Sequence, residues 1–345
     1  MNHFLLAFLL LSTIPAWAQS VTKEITFQWT PQTTPTSASL RGLSVVSDQV
    51  AWASGSGGTC LRTTDGGTTW EKLTIPGTDS VDFRDIEAFS ADEACMLSAG
   101  EPAFLYHTTD GGQHWQLRYE NRTPGIFFDV LTFWDDTHGI AMSDPVDGQF
   151  VLIRTRDGGK HWEPLSTDHM PPPAPGEAGF AASGTGMATW GSKHVWLATG
   201  GKQARVFRSE DQGQTWKVAD TPLQQGEASQ GIFSIARVDA QQGVAVGGDY
   251  LQPDNMTRTA CFTDDGGQTW QLSQTFPSGY RSAVAYHPAS QILMTVGPSG
   301  SDYSTDHGKH WLPADTVGYH AVQLVPNQRV GWATGSEGRV ARVTW

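Results

Sequence analysis

The sequence predicts an all-β fold, a seven-bladed β-propeller whose ring is closed by an N-terminal strand that pairs with the C-terminal blade. Three observations predict it. An eight-residue turn motif occurs six times, successive copies lie 41–54 residues apart, and strand patterns continue beyond the last copy. Repeats of this length, each with several short strands, are typical of propeller blades.

The turn motif combines an aspartate, a glycine two places later and a tryptophan at its end. Its copies are TTDGGTTW at 63–70, TTDGGQHW at 108–115, TRDGGKHW at 155–162, SEDQGQTW at 209–216, TDDGGQTW at 263–270 and STDHGKHW at 304–311. The carboxylate can accept backbone N–H groups within the turn, and the glycine permits a positive φ. The indole opens the next strand and buries a large ring. We therefore expect a structural role for Asp65, Asp110, Asp157, Asp211, Asp265 and Asp306.

The blade count depends on both chain ends. In the first repeat the expected strands cover 40–46, 50–54, 59–63 and 70–75. After the sixth motif come strands at 319–325, 330–334 and 339–344, with no further turn motif. We expect residues 21–32 to supply the missing outer strand, because pairing both ends removes an exposed sheet edge. A six-bladed ring with a loose hairpin is the alternative.

The N-terminal residues have the features of an export signal. Residues 4–14 form an apolar run too short to span a bilayer, followed by Ala16-Trp17-Ala18. Such an Ala-x-Ala triplet is a signal-peptidase site. We expect a signal peptide at 1–18, a single propeller domain at 19–345 and a periplasmic or secreted location. No later stretch is long and apolar enough to predict a membrane span.

The net charge indicates which classes of partner are excluded, and the cysteine content indicates whether disulfide bonds are expected. The chain has 22 Lys and Arg against 35 Asp and Glu, a formal net charge of −13. This argues against nucleic acid or an anionic membrane surface as partner. Three cysteines are too few for a disulfide scaffold, and the odd number predicts at least one free, buried thiol. A bridge between Cys60 and Cys95 is an alternative.

Long insertions are expected on one face of the propeller, opposite the motif turns. They cover 143–149, 166–180 and 248–258. Insertions clustered on one face usually mark the working surface. Unconstrained growth of loops is the alternative.

Aligned inner strands suggest a cationic site at the channel mouth on this face. The aligned column contains Arg41, Arg84, Phe128, Gly186, Phe233, Arg281 and His320. Arg281, His320, Arg41 and Arg84 come from consecutive blades and could hold a carboxylate or phosphate. The alternative is that each cation pairs with a local acid, and such acids include Asp85, Glu101, Asp144, Asp147, Glu177 and Asp249.

The turn motif resembles the Asp-box (BNR) repeat of sialidases, which suggests a second function. Sialidases combine these turns with an arginine triad, a Tyr/Glu pair and an acidic acid/base. Arg41, Arg84 and Arg281 with Tyr280, Glu101 and Asp144 could mimic that set, with Asp249 or Glu177 as further acids. The sialidase Arg-Ile-Pro signature is absent. An exported glycoside hydrolase is therefore the alternative function.

Other catalytic and cofactor patterns are missing. The sequence has no HExxH motif and no Gly-x-Ser-x-Gly elbow, and the GSGG at 55–58 lies in a hairpin turn. We predict no catalytic residue, no cofactor and no metal site.

Beyond the motif, the chain is similar to the photosystem II stability/assembly factor-like propellers. The resemblance lies in the seven blades, the signal, LRGLSVVSDQVAWASGSGGTCLRTTDGG at 40–67 and VGWATGSEGRVARV at 330–343. It implies a non-enzymatic factor that holds a protein or peptide partner through an arginine-rich patch, for which Arg41, Arg84 and Arg281 are the matching positions. We expect a peptide C-terminal carboxylate to bind at Arg281, His320, Arg41 and Arg84.

Overall fold

Seven antiparallel sheets arranged as a closed ring make up residues 25–345, the part of the chain that the computed structural model describes. The inner strand of each blade contacts the inner strand of the next, and the seventh contacts the first. The predicted seven-bladed all-β propeller is confirmed. The signal peptide expected at 1–18 lies outside the described residues.

Blades one to three have four strands each, numbered from the inner strand outward. Blade one contains β2 (Leu40–Val45), β3 (Ala51–Gly55), β4 (Thr59–Thr63) and β5 (Glu71–Leu73). Blade two contains β6 (Asp82–Ala88), β7 (Ala94–Ala99), β8 (Ala103–Thr108) and β9 (Gln116–Asn121). Blade three contains β10 (Phe128–Phe133), β11 (Gly139–Val146), β12 (Gln149–Thr155) and β13 (Glu163–Leu165).

Blades four to six repeat this order, with one addition. Blade four contains β15 (Met187–Trp190), β16 (His194–Ala198), β18 (Arg205–Ser209) and β19 (Lys217–Asp220). Blade five contains β20 (Gln230–Arg237), β21 (Gly243–Asp249), β22 (Ala260–Thr263) and β23 (Gln271–Leu272). Two short strands, β14 (Glu177–Ala178) and β17 (Gly200–Gly201), extend its inner edge. Blade six contains β24 (Ala283–His287), β25 (Ile292–Gly297), β26 (Gly300–Ser304) and β27 (Leu312–Asp315).

Blade seven is built from both chain ends, as the sequence predicts. Its inner three strands are β28 (Ala321–Leu324), β29 (Val330–Thr334) and β30 (Val340–Thr344). The N-terminal strand β1 (Gln28–Gln32) pairs antiparallel with β30, from Gln28 opposite Thr344 to Gln32 opposite Val340. The ring is thereby closed by backbone hydrogen bonds, and the loose-hairpin alternative is wrong.

The core lies between blades and is rich in tryptophan. Trp52, Trp196 and Trp332, each on the second strand of a blade, are almost completely buried. The ring of Trp52 lies where the turn of blade two approaches blade one, because a Cβ added at Gly112 would come within 3.3 Å of Cζ3 of Trp52. A glycine is required there both for this contact and for its φ of +81°.

The motif turns form a repeated hydrogen-bond network. In blade two, Thr108 Oγ1 donates to Asp110 Oδ1 at 2.9 Å and accepts the Gly112 N–H at 3.0 Å. Asp110 Oδ1 also accepts the His114 N–H at 2.9 Å, while Oδ2 pairs with His114 Nδ1 at 2.7 Å. The same bond from the turn glycine N–H to Ser or Thr occurs in the other five turns. We call the side of the ring that carries these turns the turn face.

Three further findings concern the described residues. Cys60, Cys95 and Cys261 are buried, unbridged thiols in strands, so the Cys60–Cys95 bridge does not form. Burial raises the pKa of each thiol. Across residues 25–345 no helix is long and apolar enough to cross a membrane.

Candidate functional site

A cavity of about 560 Å³ lies at the channel mouth opposite the turn face. Most of its lining residues lie at or near the starts of the inner strands of blades one, two, three, five and seven or in the connections before blades four and six. Asp144, Tyr250 and Pro298 come from the ends of second strands and the hairpins that follow them. Of the residues singled out from the sequence, Arg41, Arg84, Asp144, Tyr280 and His320 line it. We call it the mouth cavity. Its volume is in the range usual for small-ligand sites.

Register shifts at the starts of the inner strands place the key side chains. The pairing of inner and second strands skips one residue between Leu40 and Gly42, Phe83 and Asp85, Phe128 and Val130, and Ile232 and Ser234. A bulge re-aims the extra residue out of the ladder. The skipped residues, Arg41, Arg84, Asp129 and Phe233, all line the mouth cavity.

In blade three the structure therefore corrects the sequence alignment of the inner strands. The sequence alignment placed Phe128 there, but Phe128 is fully buried in the core and Asp129 takes the position at the cavity. A slip of one residue exchanges the two faces of a strand. Blade four also departs from the column, since Gly186 is not among the cavity-lining residues.

Residues 178–185 cross the channel mouth and form part of the cavity wall; we call them the crossing segment. Ser183 Oγ donates to the carbonyl of Ser282 at 2.7 Å, which links the start of blade four to blade six. Thr185 Oγ1 and Ser234 Oγ lie 2.6 Å apart. The insertion noted in the sequence thus continues into the crossing segment, which hydrogen bonds to several blades hold in place.

Two arginines reach the cavity from blades one and two. Arg84 Nη1 donates to the carbonyl of Ala181 at 2.9 Å, and its Nε pairs with Asp82 at 2.6 Å. Arg41 Nη1 donates to the carbonyl of Ala182 at 3.4 Å, and no ion pair forms at Arg41 within residues 25–345. Burial, and then the charge of Arg84, lowers the pKa of Arg41. A guanidinium group that faces the cavity without an ion-pair partner among these residues favours an anionic ligand.

His320 contributes a neutral imidazole beside these cations. Burial lowers its pKa to about 4, and the charges of Arg41, Arg84 and Arg339 act in the same direction. At neutral pH the ring therefore carries no charge and acts as a polar, aromatic wall.

Aromatic rings form another part of the cavity wall. The rings of Phe180 and Phe233 stack with centroids 3.8 Å apart. Tyr280 meets Phe233 edge to face at 4.7 Å, and Tyr250 does so at 6.1 Å. This wall suits an apolar or aromatic group of a ligand. The sequence offered no signal for Phe180, because its position depends on the path of the crossing segment.

Two carboxyl groups complete the cavity. Asp129 is 2% exposed, and no N–H or hydroxyl group of residues 25–345 donates to either of its oxygens. Burial and the neighbouring charge of Asp144 raise its pKa well above the usual range. Burial also raises the pKa of Asp144, whose Oδ1 accepts the Gly179 N–H at 2.7 Å. We call Asp129 and Asp144 the carboxyl pair.

The other residues singled out from the sequence lie away from the cavity. Arg281 is completely buried and its Nε pairs with Asp302 at 2.6 Å, so the expected four-residue cationic arc is reduced to Arg41 and Arg84, with the uncharged His320 beside them. Asp249 is buried and accepts the Leu251 N–H at 2.9 Å. Glu101 accepts the Gly125 N–H at 2.9 Å on an exposed hairpin. None of the three is among the cavity-lining residues.

The described residues offer no group of three or more His, Cys, Asp or Glu side chains that could hold a metal ion. The chemistry of the mouth cavity is therefore that of two guanidinium groups, a carboxyl pair and an aromatic wall.

Sequence comparisons connect the chain with photosystem II assembly proteins. Residues 21–164 match the family described as photosynthesis system II assembly factor YCF48. The photosystem II assembly lipoprotein Ycf48 of Synechococcus sp. (strain CC9902) is 24% identical over 61% of this chain and 68% of its own length. The chloroplastic photosystem II stability/assembly factor HCF136 of Arabidopsis thaliana is 33% identical over 30% of this chain and 25% of its own. The resemblance to this family that the sequence predicts is confirmed.

Solved structures agree on the fold. A structure titled YCF48 bound to D1 peptide aligns with 94% of this chain and 96% of its own, with a TM-score of 0.65 and 17% identity. The structure of U3-55K aligns with 93% of this chain and 98% of its own, with a TM-score of 0.63 and 12% identity. At these identities the likeness shows the propeller fold alone.

Proposed function

We propose that this chain is an exported, non-enzymatic propeller that binds the C-terminal end of a protein or peptide partner in the mouth cavity. The observation that supports this proposal most is that Arg41 and Arg84 both face a partly closed cavity next to an aromatic wall. A chain end is the part of a polypeptide that fits a closed-ended site and carries its own negative charge. The net charge of −13 argues against nucleic acid as the partner.

The two guanidinium groups are positioned before any ligand arrives. Each donates one hydrogen bond to the crossing segment, at Ala181 and Ala182, and keeps other N–H groups for a ligand. A preorganised guanidinium loses less freedom on binding and favours carboxylate geometry. The crossing segment therefore acts as a support for Arg41 and Arg84.

The relatives support a polypeptide as the partner. Two are named as photosystem II assembly proteins, and the solved propeller titled YCF48 bound to D1 peptide holds a peptide. We carry over only the class of ligand, a peptide, to this chain. Ala16-Trp17-Ala18 supports export, cleavage after Ala18 and a periplasmic or secreted location for residues 19–345.

The arrangement of acids does not favour a glycoside hydrolase. Glu177 is buried against Arg205, Asp249 is held within its own hairpin, and Glu101 lies outside the cavity. Only Asp144 among the expected acids lines the cavity. The second carboxyl group there, that of Asp129, is 2% exposed, whereas a glycosidase needs two carboxyl groups that reach the substrate on either side of the scissile bond.

A peptide array tests the function. Random pentapeptides displayed with free C-termini, and the same peptides with C-terminal amides, would be probed with wild type and with the Arg41→Ala/Arg84→Ala variant. We expect wild type to prefer free C-termini by at least tenfold and the double variant to lose the preference. Arg156→Ala is the matched control, because Arg156 is an exposed arginine far from the cavity.

Equal binding of free and amidated termini by wild type would contradict the proposal. Retention of the preference in the double variant would contradict the assignment to Arg41 and Arg84. N-terminal sequencing of the exported protein tests the location, with Gln19 as the expected first residue.

A further inference from the structure

The carboxyl pair is an unusual feature of the mouth cavity. Asp129 lies at the bulge of β10, and Gly179 of the crossing segment packs against it so closely that an added Cβ would lie 2.5 Å from Asp129 Oδ2. Buried carboxylates normally accept hydrogen bonds from several donors. Asp129 receives none from an N–H or hydroxyl group of residues 25–345.

The oxygens of Asp129 gain a hydrogen-bond partner if Asp129 and Asp144 share a proton. A carboxyl group close to a second carboxylate stays protonated, and its O–H then donates to that neighbour. Burial raises the pKa of both acids. Repulsion by Asp144 raises that of Asp129 further, whereas the Gly179 N–H and the hydrogen bond from Asp129 oppose the rise at Asp144. Asp129, the more deeply buried acid, therefore keeps the proton, and Asp144, which accepts the Gly179 N–H, is the acid that ionises first.

Asp144 keeps acceptor capacity for a ligand. Its Oδ1 accepts the Gly179 N–H, and the proton of Asp129 occupies one further position. A carboxylate offers about four lone-pair positions. Asp144 is also partly exposed at the cavity, whereas Asp129 lies beneath it. An acceptor that faces a ligand site requires a donor on the ligand.

The cavity thus offers both hydrogen-bond donors and a hydrogen-bond acceptor beside one aromatic wall. Arg41 and Arg84 can bind a carboxylate, and Asp144 can accept an N–H group. The rings of Phe233 and Phe180 can pack against an apolar side chain. The terminal residue of a polypeptide carries all three groups on one Cα atom, and so does a free amino acid.

We infer that Asp144, positioned by Asp129, accepts a hydrogen bond from the nitrogen of the ligand's terminal residue. The cavity then selects an α-carboxylate with a neighbouring N–H and an apolar side chain, and it discriminates against other carboxylates. The inference rests on the proposed function for the carboxylate at Arg41 and Arg84.

Four small probes separate the contributions by calorimetry. N-acetyl-L-phenylalanine has the carboxylate, the N–H and the ring; its amide lacks the carboxylate. O-acetyl-L-3-phenyllactic acid has an ester oxygen in place of the N–H. We expect the amide and the ester analogue each to bind at least tenfold more weakly than N-acetyl-L-phenylalanine. Free L-phenylalanine is the fourth probe and distinguishes an amino acid from a chain end.

Asp144→Asn tests the assignment to the carboxyl pair. The amide oxygen can still accept the Gly179 N–H, but the acceptor facing the ligand becomes a donor. We expect the preference for the N–H probe over its ester analogue to fall to about one. Asp147→Asn is the matched control: it lies on the same hairpin, is exposed, and has a φ of +52° that asparagine tolerates. It should keep the preference of wild type.

The outcomes distinguish this inference from the proposed function. Equal binding of the N–H and ester probes, with loss on amidation, overturns the inference and leaves the proposed function standing. Equal binding of N-acetyl-L-phenylalanine and its amide overturns the proposed function and, with it, the inference. Tighter binding of free phenylalanine than of the acetylated probe supports the role of Asp144 but overturns a chain end as the ligand.

Discussion

Asp110 in a motif turn and Asp129 at the mouth cavity belong to neighbouring blades, yet they differ in their hydrogen-bond donors, in their burial and in the direction of their pKa shifts. Asp110 accepts hydrogen bonds from Thr108 and from the backbone and side chain of His114, which lower its pKa to about 2. Asp129 has no such donors, and burial raises its pKa. Aspartates of the turn face are satisfied by their own turns, whereas the carboxyl pair is left open to a ligand.

The arginines show the same division. Arg281 is buried against Asp302 and belongs to the scaffold, although its place in the repeat matches that of Arg41 and Arg84. Arg41 has no carboxylate partner among the described residues and faces the cavity. Position in a repeat therefore does not decide between structure and binding. Access to the cavity does, because Arg84 also pairs with an acid, Asp82, and still lines the cavity. Four substitutions test this division, from the largest expected effect to the smallest.

Arg281→Ala should destabilise the protein most. It leaves Asp302 buried without its partner, which costs about 3–5 kcal/mol in the free energy of unfolding. Urea denaturation followed by tryptophan fluorescence measures it. Arg156→Ala, at an exposed position, should change the value by less than about 0.5 kcal/mol. Similar stabilities of the two variants would place Arg281 outside the scaffold.

Gly112→Ala should come next. A Cβ at this position lies 2.5 Å from Leu73 Cδ1, and its φ is +81°. We expect a loss of about 2–3 kcal/mol, the sum of backbone strain and displacement of a buried side chain. Gly77 has the same φ with no atom within 4 Å of an added Cβ, so Gly77→Ala isolates the strain, about 1 kcal/mol. Equal losses would show that the turn does not pack tightly on blade one.

Asp129→Asn should stabilise the protein at alkaline pH. The pKa of Asp129 is raised in the folded state, so its contribution is present in acid and is lost as the pH rises through that raised pKa. The asparagine amide mimics the protonated acid and does not ionise. We expect a gain of about 1–2 kcal/mol at pH 8.5 and little change at pH 4. Asp85 and Glu87, whose pKa values are also raised, affect wild type and variant alike. A loss of stability at pH 8.5 would show that ionised Asp129 supports the fold.

His320→Gln should give the smallest effect, in the opposite pH range. The pKa of His320 is lowered to about 4 in the folded state, so wild type loses stability as the pH falls from about 6.5 towards 4. Between pH 7 and pH 5.5 the variant should lack about 1 kcal/mol of that decline. Thermal unfolding at pH 7 and pH 5.5 measures the difference. An unchanged pH dependence would show that His320 is accessible and charged.

The scaffold was largely predictable because its signals are local and repeated. Each turn contains its own hydrogen-bond acceptor, its own glycine and its own buried ring within eight residues, as at Asp110, Gly112 and Trp115. In blade one the observed strands lie within two residues of the predicted bounds at each end. The N-terminal strand followed from the missing fourth strand of blade seven.

The cavity was only partly predictable, because single-residue register decides which side chains face it. Arg41, Arg84 and His320 reach the cavity as expected, but the bulge of β10 exchanges Phe128 for Asp129. A bulge leaves no mark in a pattern of alternating residues. Phe180 and Gly179 enter through the crossing segment, whose contacts join blades far apart in the sequence.

The sequence alone determined seven blades, the six motif turns and the union of both chain ends in one sheet, since each depends on residues near one another or on a simple count of strands. The tertiary structure decided that Arg281 pairs internally, that Arg41 does not, and that Asp129 meets Asp144 without a donor. Those outcomes depend on distances between side chains from different blades, and only the closed ring sets such distances.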